Sequence, residues 1–203
     1  MGEESLRRRG GARIHPWAII ASDAVIGRGT RVWAFAQVRE RSVIGAHCMI
    51  GNGVYIDQGV QVGSRCNIHN RALLYRNLSV GNHVFIGPAV CFVNDPMPRA
   101  NRIRSLKGLT SVVKDGASLG ALSVVMPEIT IGKYSVVAAG AVVTHDVPDF
   151  ALVKGVPARI KGFVDPQGNR LKPLHAAGSR LVLSSNSGRF RISVKRELYE
   201  TIG

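Results

Sequence analysis

The sequence predicts an all-β chain wound as a parallel β-helix, on three observations. Aliphatic residues recur every six positions, small residues recur two places ahead of them, and the rhythm breaks once over a stretch rich in Arg and Pro. Stepping by six from Ile14 gives Ile20, Ile26, Val32, Val38, Ile44, Ile50, Ile56, Val62, Ile68, Leu74, Val80, Ile86 and Phe92. If about a third of residues could serve at each step, chance agreement is roughly one in a few million. The small column runs Ala18, Ala24, Thr30, Ala36, Ser42, Cys48, Val54, Val60, Cys66 and Ala72. A period of six is neither helical nor a plain alternation. It suits a triangular coil of three short strands, one six-residue unit to a side, so that eighteen residues make one turn. The aliphatic residue points inward, and the small residue fits the corner. Gly27, Gly45, Gly51, Gly63, Gly81 and Gly87, each one place after an aliphatic residue, are expected to tolerate the turn. A coil cannot bury its apolar face alone, so stability comes from stacking.

The elements follow in order. Residues 1–13 form a basic tail, residues 14–161 the β-helix with a protruding loop at 93–112, and residues 162–203 a small C-terminal hairpin extension. Within the tail, Arg7, Arg8 and Arg9 are followed by no apolar run, so a secretory signal is not expected. Nor does any stretch approach eighteen unbroken apolar residues, so a membrane span is not expected. Three cysteines without a Cys-x-x-Cys pair suit a reducing, cytoplasmic setting. Cys48 and Cys66, eighteen apart, fall in the inward small column and read as core, while Cys91 lies outside it.

The interval from Phe92 to Val113 is 21 residues, which is not a multiple of six, so residues 93–112 leave the coil as a loop. Pro96 and Pro98 forbid regular strand pairing there. Arg99, Arg102, Arg104 and Lys107 make the loop positive and suited to phosphates. The rhythm then resumes at Val113, Leu119, Val125, Ile131, Val137 and Val143. Beyond Lys161 it stops. Residues 162–171 read as a strand with a turn, and Arg180–Ser184 with Arg189–Lys195 as a hairpin around Asn186-Ser187-Gly188.

The formal net charge is +14, but the middle of the chain, residues 14–153, holds only +5 of it and residues 154–203 hold +7. With few aromatic residues to interleave with the charge and no recognition motif, nucleic-acid binding is not expected. A zinc-bearing β-helix of the carbonic anhydrase kind would need two histidines five apart and a third, and no two are five apart here, so metal catalysis is not expected.

The repeat, the loop, and the closing segment from Ala138 to Pro148 through Gly155-Val156-Pro157-Ala158-Arg159 resemble the hexapeptide-repeat acyltransferases. That resemblance implies left-handed β-helices assembled as homotrimers, with sites between subunits and acetyl-CoA as co-substrate. Val84-Phe85-Ile86-Gly87-Pro88, then Cys91-Phe92-Val93-Asn94-Asp95 and Pro98-Arg99-Ala100, resemble more narrowly the branch that N-acetylates nucleotide-linked 3-amino sugars. Ile14-His15-Pro16 and the stretch from Val32 to Val38 match the opening of that branch. The resemblance implies transfer of acetyl from acetyl-CoA to the 3-amino group of a UDP- or dTDP-linked sugar, for surface polysaccharide or glycosylated natural products. An O-acetyltransferase or an acyltransferase of another amine with the same fold, and a non-catalytic β-helix used for binding or assembly, are the competing readings.

Many members of the superfamily use a histidine base near this loop, where this chain has Asn94 and Asp95. By the resemblance, Asn94 orients the amine and the departing sulfur is the eventual proton acceptor. Asp95 either accepts a hydrogen bond from the amine or holds the loop, and Asn94-Asp95-Pro96 is also an ordinary turn opening. Arg99 is expected on a phosphate or an acidic sugar group. Stepping back by eighteen from Asn94 gives Arg76, Gln58 and Glu40, beside a column of Tyr75, Asp57 and Arg39. This polar ridge suits a nucleotide sugar or is simply a solvated corner; Tyr75 and Arg76 are its candidate substrate contacts. His69 is the one histidine placed to act near the loop. The resemblance further implies that backbone groups around Ala121 and Ala139 hold the pantetheine arm, and that Lys154 and Arg159 meet the phosphates of CoA.

Overall fold

The computed structural model describes residues 7–101 and 110–200. Its strands are mostly two residues long and stack into three parallel sheets, the faces of a triangular β-helix of about seven turns, in agreement with the left-handed hexapeptide class. On the first face the inward residues pair as Ile14, Val32, Ile50, Ile68, Ile86, Leu119, Val137 and Val153. The second face runs Ile20, Val38, Ile56, Leu74, Phe92, Val125 and Val143. The third runs Ile26, Ile44, Val62, Val80, Val113 and Ile131. Nearly all are buried, and stacking at roughly 4.8 Å per coil makes them one continuous core. Ile20, in the end coil, is only partly covered.

The register dates the break in the rhythm. Ile86 pairs with Leu119, 33 positions on instead of 18, so fifteen extra residues leave the coil at the corner between the second and third faces. The loop is shorter than the sequence implied, because Ser111 and Val112 already belong to the strand Ser111–Val113. Arg102, Arg104 and Lys107 lie outside the described residues.

The glycines play a different part from the one expected of them. Gly27, Gly45, Gly51, Gly63, Gly81 and Gly87 do not have positive φ; positive φ falls two places later, on residues such as Gly29, His47, Arg65, His83 and Ala89. A Cβ on Gly27 would instead sit 2.5 Å from the carbonyl carbon of Gly45, so these glycines let neighbouring coils approach. Corners are also tied by polar side chains that accept from the next coil, as Asn70 Oδ1 does from Asn52 N at 3.0 Å and Asn82 Oδ1 from Ser64 N at 2.8 Å.

Each end of the prism carries an antiparallel strand on the first face. Arg7–Arg9 pairs antiparallel with Ala12–Ile14, so part of the expected tail is a strand. At the other end the last parallel strand, Ala151–Lys154, is followed by Arg159–Phe163 folding back antiparallel. A three-stranded sheet of Lys172–Ala177, Arg180–Ser184 and Arg191–Lys195 comes next, with a short helix at Arg196–Glu200. The hairpin around Asn186-Ser187-Gly188 is present; the strand Lys172–Ala177 and the helix were not anticipated. Phe163, Leu171 and Leu183 are buried at this end, and Phe190 packs on Phe150 at 5.2 Å between ring centroids.

Candidate functional site

The folded chain sorts the expected site residues onto two corners that flank the second face. Asn94 stands at the corner between the second and third faces, directly after the strand Cys91–Phe92, where the long loop departs. One coil beneath it are Tyr75 and Arg76, and a further coil down Asp57 and Gln58. The Asp95 carboxylate accepts from Met97 N at 2.9 Å, which holds the first turn of the loop. Arg99 is exposed and donates to the neighbouring Pro98 carbonyl at 3.1 Å.

The other corner, between the first and second faces, carries the residues expected to hold CoA. Ala121 and Ala139 stack there, tied by Gly140 N to Ala121 O at 2.9 Å. Lys154 ends the last parallel strand and pairs across the turn with Arg159, so two cations lie side by side at the top of this ridge. Arg159 also borders a cleft of about 530 Å³ shared with Val143, His145, Asp146, Val153 and Ala158. His69 sits on this same ridge, not beneath Asn94, with its ring 4.8 Å from that of Phe85. One six-residue side separates the two corners, at most roughly 20 Å of extended chain.

Under the loop lies a polar network whose extent was not anticipated. Asp57 is 5% exposed. Its Oδ1 accepts from Gln58 N at 2.8 Å and from Tyr55 OH at 3.1 Å, and its Oδ2 from Arg76 N at 3.2 Å and Arg76 Nε at 3.3 Å. Burial alone would raise the carboxyl pKa. The hydrogen bonds from Gln58, Arg76 and Tyr55 outweigh that and hold it below the usual aspartate value. Burial, together with the Asp57 charge, pushes the Tyr55 phenol up, so it stays a donor. Arg39 continues the chain, donating to Tyr55 OH at 3.4 Å and gripping Glu40 through Nε and Nη2. The rings of Tyr55 and Tyr75 lie 5.7 Å apart on the outer surface beside it. Asp57 and Arg39 were visible in the sequence as a ridge. Tyr55 was not, because it points out from a strand and is missed by stepping from corner to corner.

Two of the three cysteines are core residues. Cys48 and Cys66 are buried in the inward column, their Sγ atoms 3.2 and 3.1 Å from the carbonyls of Gly63 and Gly81. Cys91 lies near the loop, but burial pushes its thiol up. No group of three or more potential metal ligands occurs among the described residues, and no described helix is long and apolar enough to cross a membrane.

Comparison with known proteins places this geometry. The family model for bacterial transferase hexapeptide (six repeats) matches residues 41–76 and 110–145, on either side of the loop. A dTDP-3-amino-3,6-dideoxy-alpha-D-galactopyranose 3-N-acetyltransferase of Aneurinibacillus thermoaerophilus is 48% identical over 159 residues, covering 78% of this chain and 82% of that one. The chain belongs to the hexapeptide transferase family. Among solved structures, PerB from Caulobacter crescentus in complex with CoA and GDP-perosamine superposes with a TM-score of 0.50 at 28% identity, over 74% of this chain and 57% of that one. The acetyltransferase domain of PglB from Neisseria gonorrhoeae FA1090, in complex with acetyl coenzyme A, gives 0.52 at 25% identity, over 74% and 58%. The chain thus spans somewhat more than half the length of these two structures. As a hexapeptide transferase it keeps the family's repeat on both sides of its loop while standing Asn94, and no histidine, at the loop's root.

Proposed function

We propose that the chain is an acetyl-CoA-dependent N-acetyltransferase acting on the 3-amino group of a nucleotide-linked amino sugar, with a dTDP-linked 3-amino-3,6-dideoxyhexose as the first substrate to test. The observation that carries the reading is the 48% identity, over most of both chains, to an enzyme of that name. Asn94 at the root of the loop supports it chemically. An amide oxygen accepts a hydrogen bond from the neutral amine and aims its lone pair at the thioester carbonyl, a task of orientation and not of proton removal. The nitrogen then bonds to the acetyl carbon as the carbon–sulfur bond breaks. The proton lost from nitrogen ends on the departing thiolate, giving CoA and the amide. Asp95 serves by holding the loop, and Arg99, Tyr75 and Arg76 bind the sugar nucleotide. Lys154 and Arg159 meet the CoA phosphates, while the backbone around Ala121 and Ala139 holds the pantetheine arm.

The separation of the amine corner from the CoA corner by a whole face supports a homotrimer with each site between two subunits. His69, on the CoA ridge, would then face the amine corner of a neighbouring copy. The setting we propose is the cytoplasm, in the synthesis of surface polysaccharide or glycosylated natural products. Asn94→Ala tests the catalytic part: turnover is expected to fall by about two orders of magnitude, with the oligomer unchanged on size-exclusion chromatography. Unchanged kinetics would move the chemistry elsewhere.

A further inference from the structure

The ridge beneath Asn94 holds two arginines whose donors are used very differently. Arg39 is engaged at all three nitrogens, by Glu40 through Nε and Nη2 and by Tyr55 through Nη1. Arg76 makes a single-point contact, Nε to Asp57 Oδ2 at 3.3 Å, and no described residue engages its Nη1 or Nη2. The pair is also lopsided in exposure, since the Asp57 side chain is 7% exposed and that of Arg76 49%. An ion pair that only stitches coils together looks different: Lys114 and Asp149 are both about half exposed and 3.8 Å apart. Four hydrogen bonds saturate the Asp57 carboxylate, so it cannot turn away, and the guanidinium is planar. Anchoring Nε therefore narrows the directions in which the other two nitrogens can point.

We infer that Arg76, aimed by the buried Asp57, clamps the diphosphate of the sugar nucleotide one coil below the reacting amine. The inference rests on the proposed activity for its substrate and goes beyond it by assigning a diphosphate site and a positioning residue. Arg76 stands in register one coil under Asn94, a step of roughly 4.8 Å. In a 3-amino sugar nucleotide only the width of the sugar ring separates the amine from the anomeric phosphate. An amine at Asn94 therefore puts the diphosphate within the reach of an arginine one coil down. Two parallel N–H donors match two phosphate oxygens, which a lysine would meet as a point charge only. The Tyr55 and Tyr75 rings flank the path that the nucleoside would take along the same ridge.

The test uses the whole chain and dTDP as the probe, with binding followed by calorimetry, alongside KM for the sugar nucleotide and for acetyl-CoA. Arg76→Ala is expected to weaken dTDP binding and raise the sugar-nucleotide KM by about tenfold or more, the loss of a charge-assisted contact. KM for acetyl-CoA should stay unchanged. Arg76→Lys is expected to recover little, and Asp57→Asn to fall between wild type and Arg76→Ala. A merely structural staple would move both KM values or neither. The inference is overturned if wild type binds no dTDP, or if Arg76→Ala and Arg76→Lys both bind it within twofold of wild type. An unaffected Asp57→Asn beside a weakened Arg76→Ala would remove the aiming role. Binding of dTDP that depends on Arg76, in a protein that acetylates no sugar nucleotide, would uphold this site while sinking the proposed activity. Acetylation that is indifferent to Arg76 would do the reverse.

Discussion

Ile68 and Asn67 form one two-residue strand, and the repeat assigns them opposite fates. Ile68 is fully buried, stacked between Ile50 and Ile86, which are fully buried too. Replacing it by Ala removes three carbons, about 2.4 kcal/mol of transfer free energy at about 0.8 per carbon. The coils above and below are pinned by their own hydrogen bonds and cannot collapse into the space. A cavity term therefore brings the expected cost of Ile68→Ala to about 3–5 kcal/mol. Asn67 is exposed, and Asn67→Ala should cost under about 0.5 kcal/mol. Urea unfolding followed by far-UV circular dichroism reads both. On heating, the first variant should lose roughly 6–20 °C in Tm and the second no more than about 2 °C. Similar losses for the two, or a cost below about 1 kcal/mol for Ile68→Ala, would refute the inward–outward assignment on which every ladder rests.

Two further outcomes follow from the same coordinates. Ser123 Oγ is buried and has no hydrogen-bond partner among the described residues, between Val90 and Ala141 in the small column of the second face. Ser123→Ala should therefore stabilise by about 1 kcal/mol, seen as a Tm rise of roughly 2–4 °C; a fall would mean that the hydroxyl is satisfied. Asp57 has a folded-state pKa below its unfolded one, so its ionised form contributes stability that is complete above an unfolded value near ~4 and is lost as pH falls through the lower folded value. The stability difference between wild type and Asp57→Asn should shrink in that acid window, and a constant difference from pH 6 to pH 3 would contradict the network.

The β-helix was legible because a period of six leaves little freedom: each inward aliphatic dictates its neighbours eighteen residues away, and Ile68, Leu74 and Val80 fell where the arithmetic put them. The loop was legible for the same reason, as a loss of phase after Phe92. The glycines were misread because sequence shows that Gly is required without showing why; contact between coils and positive φ both demand it, and only geometry separates Gly27 from Gly29. Asp57 looked like one charge on a solvated ridge. Its burial is made jointly by Tyr55, Gln58 and Arg76, from two coils, and no local pattern announces that. The strand Lys172–Ala177 escaped because Pro173 argues against a strand and its side chains are all exposed, so no alternation marks it.

The central claim is the transfer itself, and one measurement tests it most directly. Wild-type protein is incubated with acetyl-CoA and dTDP-3-amino-3,6-dideoxygalactose, with free thiol counted and the product examined by NMR. The account predicts one CoA released per sugar consumed and an acetyl group on the C3 nitrogen. Thiol release no faster than spontaneous hydrolysis, or an acetyl group on a ring hydroxyl, would contradict it.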